Sequence, residues 1–256
     1  MTKHIIFEQP LNERARTLLR LEHLFAQSDY WFSGDTPWHS RAVLDSLFKI
    51  QDVLGRSDIR KELLKELERQ VVNLSRLEQN PNVDRNMLSN VLNDIDVIVD
   101  RLHEIGGAPG QALRENEFLN TIRQRSTIAG GNCDFDLPAF HQWLLLPAEE
   151  RKQELEGWIH DYLPLRDAIR MILSLIRDSA SATEQLAAAG FYQQSLDTSI
   201  PYQLIRVMLP AEHPCFAEIS AGKHRFTIRF LHSTDRAKRP VQSDQDIPFL
   251  LTCCQL

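Results

Sequence analysis

The chain has 256 residues and a formal net charge of −6, with 43% hydrophobic and 25% charged residues. This composition is typical of a globular protein with a sizeable core, and the charge argues against nucleic-acid binding over the whole surface. There is no signal-peptide pattern and no apolar run near the ~18 residues that span a bilayer, so we expect a cytoplasmic protein without a membrane partner.

The first part of the chain predicts one strand and then helices. Residues 1–9 form a short apolar strand that ends at Pro10 and is able to join a later sheet. Apolar residues then recur every three or four positions through residues 10–178, as expected of a helical domain. Ser40 and Asp136 are the predicted N-caps of two of these helices. Breaks between helices are predicted at residues 30–40, 79–86, 106–110 and 130–131.

The clearest predicted helix begins after Ser57. One stripe of apolar residues defines it: Ile59, Leu63, Leu67, Val71, Leu74 and Leu77. Charged residues occupy the opposite side, as on an ordinary solvated amphipathic helix. That interpretation leaves Arg56, in the preceding turn, unexplained.

The pattern changes after residues 177–190, which are rich in small residues and leave the helical period. Strand-like runs follow at 190–195, 202–210, 224–231 and 247–254, separated by turn residues. Residues 188–256 are therefore predicted to form an antiparallel β-sheet domain. The fold class is α+β, with an N-terminal all-helical domain packed beside the C-terminal sheet domain.

The segment HRFTIRF, residues 224–230, alternates between apolar and polar positions. On a strand, Phe226, Ile228 and Phe230 share the buried face, and Arg225 and Arg229 share the other face. Planar guanidinium groups on a rigid backbone suit the recognition of carboxylate or phosphate. A solvent-facing edge that is kept soluble by charge explains the same pattern equally well.

The charge balance of residues 201–240 supports a basic surface. Three acidic residues in this range stand against seven basic ones, a balance of +4: Arg206, Lys223, Arg225, Arg229, Arg236, Lys238 and Arg239.

Sequence motifs for catalysis, cofactors or metals are missing. There is no phosphate-binding glycine loop and no G-x-S-x-G elbow, and the nine histidines lie scattered. The four cysteines lack C-x-x-C spacing and are expected to be reduced thiols. We therefore expect no enzyme, no cofactor and no metal.

Six blocks of sequence point to a known family. They are FEQPLNERARTLLRLE, RSDIRKELLKELERQ, IRQRSTIAGGNCDFDLPAFHQWL, GFYQQS, GKHRFTIRF and the CC pair near the C-terminus. In this order, and over essentially the whole chain, the sequence resembles the ZapD family of FtsZ-associated cell-division proteins. Several long blocks in one order are more specific than a single short motif.

The resemblance implies a non-enzymatic protein of the division ring at midcell. It implies a symmetric homodimer that binds the C-terminal tail of FtsZ and bundles FtsZ filaments, with no nucleic-acid partner. We expect an isologous dimer contact made by the helical domain.

The resemblance also implies the binding residues. The family's tail-binding pocket is basic, and its motif positions fall on Arg225 and Arg229 and, in the GRSDIR turn, on Arg56. Arg20 and His141 lie in matching blocks and are secondary candidates. Glu117 stands where a basic residue would fit the family, and no role is assigned to it.

Two other classes of function remain alternatives. A nucleic-acid-binding protein would use the same basic strand, although Phe226 and Phe230 fall on its apolar face instead of forming a stacking platform. An enzyme would need a site assembled by the fold, with a perturbed histidine or carboxylate in a cleft.

Overall fold

The computed structural model describes residues 3–55, 58–81, 83–233 and 235–255. The chain divides into two compact units, Met1–Leu18 with Leu173–Leu256 and, between them in sequence, Leu19–Ile172. We call them the β-unit and the helical unit. After an N-terminal strand the chain forms helices and then antiparallel strands, which confirms the predicted α+β class.

The helices of the described residues are named in chain order, with a short 3-10 turn at Arg76–Gln79 after the third. They are α1 (Glu13–Phe32), α2 (Pro37–Leu54), α3 (Ile59–Ser75), α4 (Arg85–Glu104), α5 (Gln111–Glu115), α6 (Glu117–Ser126), α7 (Pro138–Leu144), α8 (Ala148–His160) and α9 (Leu163–Asp178).

Side-chain caps set where several helices begin. The Thr36 hydroxyl accepts the backbone N–H of His39, so the cap of α2 lies four residues before the predicted cap at Ser40. Asp58 caps α3 in the same way, through the N–H of Lys61. The predicted cap of α7 was wrong, because Leu137 occupies that position and the Asp136 carboxylate instead accepts the Cys133 thiol.

The core of the helical unit is formed by the apolar stripes predicted from the periodicity. Leu47, Ile50, Leu67, Ile95 and Leu165 are among its fully buried side chains. In the described ranges, no helix combines the length and the apolar composition that crossing a bilayer requires.

The strands of the described residues belong to two antiparallel sheets, where the sequence predicted one. They are β1 (His4–Pro10), β2 (Thr183–Ala187), β3 (Phe191–Ser195), β4 (Tyr202–Pro210), β5 (Cys215–Ala221), β6 (Arg225–His232), β7 (Val241–Gln242) and β8 (Ile247–Gln255). The first sheet has the order β1-β4-β8-β2, and the second has the order β3-β6-β5, with β7 also paired to β6.

The two sheets share one hydrophobic core. The second sheet contributes the fully buried Phe226, Ile228 and Phe230 of β6. Alternate residues of β4 and β8 in the first sheet complete it, among them Val207 and Phe249. Because side chains alternate across a strand, burying one set of β6 residues directs the other set away from the core.

The other face of the first sheet contains an ion cluster. The carboxylate of Glu8 on β1 accepts two hydrogen bonds of 2.9 Å from Arg177 at the end of α9. It also accepts one of 2.8 Å from Arg206 on β4. All three side chains are less than a quarter exposed. These contacts connect the N-terminal strand to both its neighbouring strand and α9.

Three strands were not predicted: β7, which has only two residues, and the longer β2 and β5. β2 lies in the segment 177–190, whose small and polar residues hide it, and β5 has the sequence CFAEISA with little apolar alternation. Both pair with strands of strong hydrophobic character, β8 and β6. Tertiary pairing therefore decides their conformation more than their own propensity does.

Removing a large side chain from the shared core tests the sandwich arrangement. Replacing Phe230, which has no exposed surface, by alanine is expected to lower the free energy of unfolding by about 3–5 kcal/mol, because the cavity cannot fully collapse. Val241→Ala, at a side chain that is 61% exposed in the same unit, is expected to change it by less than about 0.5 kcal/mol. Urea denaturation followed by circular dichroism measures both, and equal effects would contradict the packing described.

Candidate functional site

The candidate site lies on the outer face of the second sheet, which we call the arginine face. β6 places Arg225, Thr227 and Arg229 on this face, since its apolar residues fill the core. Both arginines are exposed and Thr227 is half-buried between them. Their Cα atoms are about 13 Å apart, because four residues of strand separate them at roughly 3.3 Å each.

Neighbouring strands complete the arginine face through their register with β6. Ser195 of β3 lies opposite Arg225, and Phe191 lies opposite Arg229. Glu218 of β5 lies opposite Arg229 on the other side. Directly opposed residues of antiparallel strands point to the same face, so an exposed ring, a carboxylate and two arginines share it.

The two arginines differ in how they are paired. The Arg229 guanidinium makes an ion pair with Glu218, and both side chains are about half exposed. Arg225, whose carbonyl accepts the N–H of Gly222 at 2.9 Å, has no acidic partner among the described residues. An exposed pair contributes little energy, so a second carboxylate is able to compete for Arg229.

The basic region predicted between residues 201 and 240 divides in the structure. Arg206 belongs to the first sheet, where it binds Glu8. Lys223 and His224 are exposed just before Arg225 at the start of β6. Lys238 lies 3.8 Å from Asp235 in the loop after β6. The cations available at the arginine face are thus fewer than the sequence count indicates.

The structure assigns the other predicted site residues to different places. Arg56 lies outside the described residues. Gly55 and Asp58, the described positions on either side of residues 56 and 57, line a depression of about 380 Å³ that also has Arg60 and Arg114 in its wall. Arg20 is exposed on α1 in the helical unit.

His141 belongs to the same unit as Arg20. Its imidazole Nδ1 lies 3.0 Å from a carboxylate oxygen of Asp134, and its side chain is 42% exposed. Arg225 and Arg229 therefore lie on one strand, β6, whereas Arg20 and His141 lie in the helical unit.

Phe191 is the residue of this face that the sequence did not single out. It is 41% exposed, and the turn before it uses Gly190, whose φ of 68° is unfavourable for other residues. A Cβ at Gly190 would lie 2.6 Å from the Ser243 carbonyl oxygen, so this turn requires glycine. The only signal in the sequence was the short run FYQQS, which does not reveal which face its ring occupies.

The side chains with the largest pKa shifts are buried or, in the case of Cys253, half-buried, and they do not belong to the arginine face. Burial raises the pKa of Tyr162 to about 12 and that of Cys253 and Cys254 to about 11 each. Tyr162 belongs to the helical unit, and the cysteines belong to β8 in the first sheet. Among the described residues, no three His, Cys, Asp or Glu side chains form a group suited to a metal ion.

A second depression lies in the helical unit. It has a volume of about 770 Å³ and is lined by the glycine-rich segment before α5, together with Arg101, Glu104 and His160. Arg101 binds Asp167 at 2.7 Å, and Gln111 of the same wall donates to Glu115 at 2.7 Å. Three of its polar side chains, those of Arg101, Gln111 and Glu115, thus already have partners, and its lining contains none of the predicted site residues.

Comparison with known proteins gives one family. A family model described as "ZapD: Cell division protein" matches residues 19–229, a range that contains all five predicted site residues. The chain is also 43% identical over 256 residues to the protein named "Cell division protein ZapD" from Methylococcus capsulatus (strain Bath). That alignment covers 100% of both chains.

The raised thiol pKa values predict slow alkylation of the folded protein. At pH 8, thiols with a pKa near 11 are almost fully protonated, so Cys253 and Cys254 should react with iodoacetamide about a hundredfold more slowly than in guanidinium-unfolded protein. Mass spectrometry of the C-terminal peptide measures this, and equal rates would contradict the burial described.

Because the unfolded thiols ionise first, the free energy of unfolding should also fall as the pH rises from about 8.5 to about 11.

Proposed function

Because the chain belongs to the ZapD family of cell division proteins, we propose that it binds the C-terminal tail of FtsZ through the arginine face. As a homodimer it cross-links FtsZ filaments and promotes assembly of the division ring at midcell. The role is non-enzymatic and needs no cofactor.

The observation that supports this most is the pair Arg225 and Arg229, held outward on one strand by a buried core. The strand fixes the backbone of both arginines, and the planar guanidinium fork loses less freedom per hydrogen bond to a carboxylate than a more flexible donor does. The nearby ring of Phe191 supplies apolar contact area for a peptide. A flexible acidic and apolar segment fits both features.

Arg56, Arg20 and His141 extend the proposed site. Arg56 is the stronger of the three, on the evidence of its family motif, and Arg20 and His141 are secondary. The His141 ring is already next to Asp134, which favours a structural role for it over direct contact with a ligand.

Weak sites are sufficient for the proposed cross-linking. A single exposed Arg–carboxylate contact is worth at most about 1 kcal/mol and is screened by salt. A filament displays many tails and a dimer has two arginine faces, so the second contact forms at a raised effective concentration. Many weak contacts together hold the filaments in a bundle, while each single contact remains reversible. We place the isologous dimer contact in the helical unit.

Reversing the charge of the arginine face tests the proposal. Arg225→Glu with Arg229→Glu is expected to abolish co-sedimentation with FtsZ filaments, because the variant repels an acidic tail. Filaments of FtsZ lacking the C-terminal tail are expected not to pellet the wild-type protein.

The matched control is Lys3→Glu with Lys238→Glu, which makes the same change in net charge at exposed positions of the β-unit outside the arginine face. It is expected to bundle filaments as the wild type does, and circular dichroism checks that both variants fold. Bundling that persists in the arginine variant, or with tail-less FtsZ, would refute the proposed site.

A second candidate is binding of single-stranded nucleic acid, which one observation favours. Phe191 is exposed opposite Arg229, a pairing that suits base stacking beside a phosphate contact. Glu218 on the same face and the chain's net charge of −6 oppose it. If this candidate is correct, fluorescence anisotropy should show oligonucleotide affinity that falls steeply with salt, and Phe191→Ala should weaken it by more than about fivefold. Absence of binding at low salt would exclude it.

A further inference from the structure

β3 is an edge strand whose outer side, among the described residues, is free beyond Phe191; the Phe191 N–H itself donates to the Ala188 carbonyl at 3.0 Å. The second sheet has the order β3-β6-β5, so β3 pairs with β6 on one side only. β3 is five residues long, and its exposed side chains are those of Phe191, Gln193 and Ser195. These three residues also belong to the arginine face, since they lie opposite Arg229, Thr227 and Arg225.

The hydrogen-bond pattern shows which backbone groups of β3 point outward. Phe230 donates to the Gly190 carbonyl, and Leu196 donates to the His224 carbonyl, both at 2.8 Å. Bonded and non-bonded pairs alternate along antiparallel strands, so the residues at even numbers bond to β6. Gln193 and Ser195 therefore direct their N–H and C=O groups to the free side. Among the described residues, no group beyond the β3–β6 pair bonds to the backbone of either one.

The edge of β3 also lacks the charges that normally protect a sheet edge. Of the other strands at sheet edges, β1 contains Glu8, β2 contains Glu184 and β5 contains Glu218, while the two-residue β7 also has no charge. The sequence of β3, FYQQS, contains no charged residue and no proline. Charges and prolines at edges oppose pairing with another chain, and this edge has neither.

The charges around this edge select the kind of strand that would pair with it. Lys223, His224 and Arg225 are all exposed at the end of β3 where Ser195 lies. Ser195 is small, so the Arg225 side chain is able to extend across it toward the free edge. The nearby Asp197 carboxylate accepts hydrogen bonds of 2.9 and 2.7 Å from Ser199, which turns it back onto its own loop. The local field favours an acidic segment.

We propose that β3 is a strand-addition site, at which an extended acidic segment of a partner pairs with the outward backbone groups of Gln193 and Ser195. Its carboxylates reach Arg225, and an apolar side chain packs on Phe191. Side chains that share a face of the added strand recur every second residue, so alternate residues of the partner meet the arginine face. The identification of the partner as the FtsZ tail rests on the proposed function; the binding mode rests on the sheet edge.

Peptides with blocked backbone N–H groups test strand addition without altering the protein. Two FtsZ tail peptides of equal charge are N-methylated, one at the odd and one at the even residues of the segment. An added strand uses only one of these sets toward β3, so one peptide should lose about tenfold or more in affinity while the other stays close to the unmodified peptide. Isothermal titration calorimetry measures the three affinities. Equal affinities of the two methylated peptides would overturn the inference.

A matched pair of variants tests the same contact from the side of the protein. Gln193→Pro removes the outward N–H at a position where an edge strand tolerates proline, and Gln193→Ala keeps that N–H. The proline variant should bind the unmodified tail peptide about tenfold more weakly than the alanine variant. Equal binding by the two variants would overturn the inference. Hydrogen exchange of the wild type tests the same contact without any variant, so it still applies if the proline variant fails to fold. The amides of Gln193 and Ser195 should gain protection from exchange when peptide saturates the protein.

The possible failures are distinguishable. Binding that depends on Arg225, without added protection at Gln193 and Ser195, overturns strand addition and leaves the proposed function standing. A tail peptide that does not bind the wild-type protein overturns the proposed function, and this inference with it.

Discussion

The alternation of β6 between a closed core and an open face is the constraint on which the candidate site depends. Phe226, Ile228 and Phe230 have no exposed surface, and each large apolar side chain contributes roughly 1.5–3 kcal/mol by burial. A slip of one residue would expose these three and bury two guanidinium groups without partners. The energy of the core therefore fixes the backbone of β6 with Arg225 and Arg229 pointing outward, and only their side chains have to be ordered on binding.

The position of an arginine decides its role in this protein. Arg177 and Arg206 enclose Glu8 where solvent is largely excluded, and there they connect β1 to α9 and β4. Arg229 makes a similar pair with Glu218, but at an exposed place where such a pair is weak. The contacts of Arg177 and Arg206 stabilise the fold. Arg229 is able to exchange the Glu218 carboxylate for that of a partner. A chain with 29 Lys and Arg residues against 35 acidic ones offers many such pairs.

Side-chain alternation and hydrogen-bond alternation have the same period of two residues in β3. The residues that direct their backbone groups to the free edge are consequently those with side chains on the arginine face. Backbone pairing and charge recognition are thus able to act on one extended segment. The chain belongs to the ZapD family of cell division proteins. Repeated over the dimer and the filament that we propose, such contacts would combine reversible binding with strong cross-linking.

The sequence alone determined the helical stripes, the α+β class and the two faces of HRFTIRF, because these follow from local periods of 3.6 and two residues. Tertiary structure decided the rest. The strands β2 and β5 form because β8 and β6 pair with them, and Arg206 and Phe191 take their places through cross-strand register. Pairing between distant segments leaves no periodic signal within either one, so neither the second sheet nor the free edge of β3 was visible in the sequence.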